Sequence, residues 1–187
     1  MTDRKAVCKA LNLIAWGYLL LHLHFRLNGL DVLPDWAGYA MIFTALGPLA
    51  GEHRDLPLLK PFCVLLGLAA GADWLAVLFA GTSLTGRSFL VGAVLLCVGL
   101  YFHFQLLTDL ARLADRRTED PGLGRRLRIC RNIIVLVMTA TRLPLSGEAW
   151  TLLATAATLM ALIATFAVAY DLFRLRGRFR DEEPEVS

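Results

Sequence analysis

Twenty-two consecutive residues, 149–170, carry no charged side chain. At about 1.5 Å of rise per residue, a helix of this length crosses the roughly 30 Å hydrocarbon core of a bilayer. The rest of the chain is biased the same way: 57% of its residues are hydrophobic and only 19% are charged, where a soluble domain has about a quarter.

The other apolar runs predict five further spans, at residues 10–27, 33–50, 61–80, 88–107 and 129–145. Two are short. The run at 33–50 reaches spanning length only if Val32 and Leu33 are also buried. The run at 129–145 has ten uncharged residues between Arg131 and Arg142, so both arginines must extend toward the interfaces. Arg4, Lys5 and Lys9 precede the first run, and the apolar segments that follow favour a retained signal anchor over a cleaved leader.

The basic residues argue for keeping all six. Arg112, Arg116, Arg117, Arg125, Arg126, Arg128 and Arg131 separate two apolar halves, and basic residues concentrate on the cytoplasmic side of membrane proteins. With the N-terminus inside, 16 of the 19 basic residues fall on that side, leaving Arg26, Arg87 and Arg142 outside. Removing the 129–145 span would put the central arginines and those of the tail on opposite faces. The expected fold is therefore all-α: one polytopic transmembrane bundle of six spans in the cytoplasmic membrane, with both termini inside. A basic cytoplasmic loop runs over 112–128 and a cytoplasmic tail over 171–187. Pro121, Gly122 and Gly124 predict a polar linker with helical shoulders in the loop.

The segment Asp31, Leu33, Pro34, Asp35, Trp36, Gly38 and Tyr39, with its apolar continuation, resembles a group of small multi-span membrane proteins of Firmicutes. In that group an Asp-x-Leu-Pro-Asp-aromatic-x-Gly-Tyr segment opens the second span. The similarity covers about residues 17–62 and implies membrane class but no reaction.

Polar residues within or beside the spans are the candidate site. Under the six-span topology His22, His24, Arg26, Asp35, Asp73 and Arg142 gather toward the outer side. Asp73 lies inside a span, where a lipid-facing charge is costly, so it should face the bundle and accept hydrogen bonds, be protonated, or pair with a cation, for which His22, Arg26 and Arg142 have a fitting depth. One reading is an outward-open polar cavity that binds a small ion or solute, or relays a proton through Asp73 and His22. The other is a buried pair joining the third and fifth spans. His22 and His24 diverge on a helix and His103 is expected near the opposite face, so no metal site is assigned.

No hydrolase, nucleotide or redox motif is present, and no catalytic residue or cofactor is assigned. The four cysteines lack metal-ligand spacing and read as packing residues in a reducing setting. Thr151, Thr155, Thr158 and Thr165 share one face of the last span, which could line a hydrated path but more often forms a close helix-packing surface. The expected partner is the bilayer itself, with Arg116, Arg117, Arg125, Arg126 and Arg128 on anionic headgroups. Basic residues at span ends are topology signals, so no nucleic-acid partner is expected. The leading function is a small transporter or solute-binding membrane protein. The alternative is a non-catalytic scaffold or regulatory subunit that binds a membrane or cytoplasmic protein through the basic loop.

Overall fold

The computed structural model describes residues 4–23, 26–27, 30–31, 34–52, 55–84, 88–118, 120–142 and 147–181. Six α-helices account for most of them: α1 Arg4–His22, α2 Asp35–Leu46, α3 Lys60–Ala80, α4 Phe89–Arg117, α5 Pro121–Ala140 and α6 Glu148–Asp181. Single 3-10 turns at Pro48–Gly51 and Leu56–Leu59 lie between α2 and α3. Between α1 and α2, β1 Arg26–Leu27 and β2 Leu30–Asp31 pair antiparallel with Arg26 opposite Asp31.

Local chemistry explains three of the helix boundaries. Ser88 caps α4 by accepting from the Val91 N–H at 3.5 Å, and α3 ends on Gly81 at φ 65°, a conformation glycine adopts without strain. The expected linker around Pro121 is absent. Asp120 accepts from the Gly122 N–H at 2.9 Å and Pro121 occupies the first turn, where its missing N–H has no cost. These residues start a helix, and only residues 118–120 separate α4 from α5. Gly124 serves packing: a Cβ there would collide with the Asp115 carboxylate and lie 2.9 Å from the Ala111 carbonyl oxygen. The helices at the expected first and fifth spans begin earlier than those runs, α1 at Arg4 and α5 at Pro121, and end at His22 and Ala140.

The neighbour order across the bundle is α3, α2, α1, α6, α5, α4, with a lighter contact between α3 and α4 closing the ring. Facing glycines bring α1 and α2 together. A Cβ at Gly38 would lie 2.8 Å from the Gly17 carbonyl oxygen, and one at Gly17 would lie 2.9 Å from that of Gly38. On α3, Gly67 meets the Tyr39 Cβ and Gly71 meets Trp36, so the small-residue spacing of α3 is a contact surface for α2. Trp36, Gly38 and Tyr39 are thus among the residues through which α2 contacts its neighbours, with Ile42, Ala45 and Leu46 buried further along the helix.

Helix length divides the bundle into two levels. Trp16 meets Phe173 edge-on at 5.9 Å, and Asn12 accepts from Arg176 at 2.6 Å, so α1 and α6 run antiparallel. From that register roughly 19 residues of α6, about 28 Å, project beyond the end of α1. The projecting halves of α3, α4 and α6 are apolar and exposed, through Leu75, Leu78 and Phe79, then Phe89, Leu90 and Val94, then Leu152, Leu159 and Ile163. The packed core lies at the other level and is built from Leu11, Ile14, Ile42, Leu46, Leu106, Leu110, Leu127 and Leu172.

Among the described residues, three helical segments are long and apolar enough to cross a membrane: Leu56–Ala80, Phe89–Arg117 and Glu148–Phe179. The helix α2 has only 12 residues, and the N-terminal portions of α1 and α5 carry charged side chains. Apart from the short β1–β2 pair the described residues are predominantly helical, and the three apolar helices of spanning length make the chain a membrane-associated protein.

Candidate functional site

At the level where α1 ends, three polar rings meet in the core. Tyr18 stacks on His22 at a ring separation of 4.5 Å, one helical turn apart. His103, from the middle of α4, packs edge-on against both, 5.5 Å from Tyr18 and 5.1 Å from His22. This corrects the expectation that His103 lies near the face opposite His22. The α4 helix is 29 residues long and His103 is half-way along it, at the depth that α1 reaches after 19 residues. Sequence spacing within one helix could not reveal a pair formed between α1 and α4.

The cluster is unevenly satisfied. His22 donates through Nδ1–H to the Tyr18 carbonyl at 3.0 Å, which leaves Nε2 as the acceptor of the neutral ring. Tyr18 and His103 are 0% and 3% exposed, yet neither the Tyr18 hydroxyl nor the His103 Nδ1 has a hydrogen-bond partner among the described residues. Most buried polar side-chain atoms in folded proteins have a partner, and an unmet one costs about 1–3 kcal/mol. Phe102 packs against His103 and Tyr39 against Phe102, completing an aromatic wall.

The other candidates are more dispersed. Asp73 accepts a hydrogen bond from the Ser83 hydroxyl at 2.8 Å, a contact within the α3 end and the turn that follows it. Asp35 opens α2, half-buried and one turn before Tyr39. Arg142 is exposed just beyond α5. His24 lies outside the described residues, and only the backbone of Arg26 is described, in β1. Of the six, His22 is the one the structure places in the core cluster. Tyr18 was not singled out in the sequence because a tyrosine in an apolar run looks like any other packing residue.

The arginine-rich end is held together by pairs between elements. Arg117 binds Glu52 at 2.6 Å, Arg126 binds Asp171 at 2.6 Å, Arg128 binds Asp115 at 2.7 Å and Arg174 binds Asp120 at 3.2 Å. These guanidinium groups remain partly exposed, and Arg116 and Arg125 are exposed. A cavity of about 180 Å³ lies beside the Arg126–Asp171 pair, lined also by Ile129, Cys130, Ala167 and Tyr170.

The threonine stripe of α6 is a correction. Each hydroxyl donates to the carbonyl four residues earlier, and Thr151, Thr155 and Thr158 face outward, so only Thr165 lies in a packed surface. The cysteines are all free, with Cys63 and Cys130 buried. Among the described residues, no three His, Cys, Asp or Glu side chains converge in a way that could hold a metal ion.

Compared with protein-family models, with curated proteins and with solved structures, the chain matches none.

Proposed function

We propose that the chain is a small multi-pass protein of the cytoplasmic membrane that admits a small ion or polar solute to the interior of its bundle, as a transporter or solute-binding protein. The observation that carries this reading is the pair of buried, unpartnered polar atoms, Tyr18 Oη and His103 Nδ1, beside His22. A ligand with donor and acceptor groups would satisfy both atoms and offset their desolvation. The outer candidates Asp73 and Asp35 would then lie along the approach, and the arginine-rich end would stay at the cytoplasmic surface, in keeping with the charge bias. The resemblance to the Firmicutes group fits this class and adds no substrate.

The test is a thermal-shift screen of detergent-purified protein against ions, metals and small polar metabolites at two pH values, comparing wild type with His103→Phe and Asp73→Asn. A ligand that raises the wild-type melting temperature and has no effect on His103→Phe supports binding in the core. Loss of the effect only in Asp73→Asn would move the site outward. No shift with any compound, for wild type as for both variants, contradicts the reading.

A further inference from the structure

A second feature stands apart from the buried cluster, on the outer surface where α4 and α5 pack antiparallel. Arg131 on α5 places its guanidinium carbon over the Phe104 ring, 4.1 Å from the centroid, and donates through Nη1 to the Thr108 hydroxyl at 2.7 Å. Its Nε and Nη2 both donate to Asn132 Oδ1, at 3.0 and 2.8 Å. These contacts hold the guanidinium in one orientation, but all are neutral. No carboxylate lies within ion-pairing distance of Arg131 among the described residues.

Two further cations are close by: Arg128 is one turn before Arg131 on α5, and Arg112 is one turn beyond Thr108 on α4. Each of these has one carboxylate, Asp115 at 2.7 Å for Arg128 and Asp109 at 3.2 Å for Arg112. Among the described residues, the three arginines and their two carboxylates therefore leave one net positive charge. Toward the apolar level the same face of α4 continues through Phe104 and Tyr101, which are 41% and 50% exposed. A fixed, uncompensated cation thus lies at one end of an exposed aromatic strip.

We infer that this α4–α5 surface binds an anionic phospholipid, with the headgroup phosphate on Arg131 between Arg128 and Arg112, and an acyl chain along Phe104 and Tyr101. The phosphate supplies the missing negative charge. Guanidinium suits it because its planar donors can approach two phosphate oxygens at once. The apolar strip distinguishes a lipid from a free anion, because only a lipid covers exposed aromatic surface as it neutralises the charge.

The experiment titrates purified protein in a neutral detergent with phosphatidylglycerol, phosphatidylcholine or inorganic phosphate and follows the melting temperature. The variants are Arg131→Gln, Arg128→Gln and, as a control of equal charge change, Arg178→Gln, an exposed position on α6. Phosphatidylglycerol should stabilise wild type and Arg178→Gln alike. Its half-saturation should be about fivefold weaker for Arg131→Gln, the equivalent of roughly one lost arginine contact at a membrane surface. Arg128→Gln, whose partner Asp115 is 37% exposed and can be hydrated, gives the same comparison if Arg131→Gln does not fold. Equal weakening in Arg178→Gln, or equal stabilisation by phosphatidylcholine or inorganic phosphate, overturns the inference.

Discussion

Replacing Gly38 with valine should destabilise the protein by about 3 kcal/mol, the upper end of what overpacking a tight interior costs. The first atom of the new side chain would lie 2.8 Å from the Gly17 carbonyl oxygen and 2.8 Å from Leu21 Cγ. The obstructing oxygen is backbone inside α1, so relief requires the two helices to separate. Helices in a bilayer gain little from hydrophobic burial against one another, so close contact at small residues is a main source of their association. The control is Gly99→Ala on α4, where an added Cβ meets no atom within 4 Å. That change should be neutral or stabilise by about 0.5–1 kcal/mol through helix propensity. Melting temperatures of both variants in one detergent check the contrast, and similar values would show that the α1–α2 contact is looser than described.

The second large effect is expected at the arginine-rich end. Arg126→Leu removes the partner of Asp171, whose side chain is 3% exposed, and should cost about 3 kcal/mol because a buried carboxylate loses its ion pair. The reverse change, Asp171→Asn, leaves an arginine that is 47% exposed and can be hydrated, so about 1 kcal/mol is expected. The double variant Arg126→Leu with Asp171→Leu should recover most of the loss, since neither charge remains unpaired. Denaturant unfolding of the three proteins measures the order. An Asp171→Asn protein less stable than Arg126→Leu would mean that the desolvated member of the pair has been misassigned.

The helical class and the apolar level of the bundle were legible because 22 uncharged residues on α6 leave little choice of environment. Gly67 and Gly71 lie four apart on one helix face, but that spacing does not say which helix they meet, and the structure supplies Tyr39 and Trp36 of α2. The linker around Pro121 was misread because proline and glycine interrupt a helix as readily as they start one. What decides between the two is the Asp120 cap and the Asp115 carboxylate packed at Gly124. The threonines of α6 shared a face as expected, but spacing does not say whether a hydroxyl turns to a neighbouring helix or to its own backbone. The Tyr18, His22 and His103 cluster depends on the relative depth of α1 and α4, which no local pattern records. The arginines of the α4–α5 junction were visible as charge, whereas their carboxylate partners Glu52 and Asp171 lie 65 and 45 residues away in the chain.

The most direct test of the proposed interior site is the stability of Tyr18→Phe in ligand-free protein. If the hydroxyl is held in the core for a ligand, it is a liability without one. Its removal should then raise the unfolding free energy by about 1 kcal/mol while abolishing stabilisation by any ligand that protects the wild type. A Tyr18→Phe protein that melts lower than wild type, and responds to ligands as wild type does, would show that the hydroxyl serves the fold and would contradict the account.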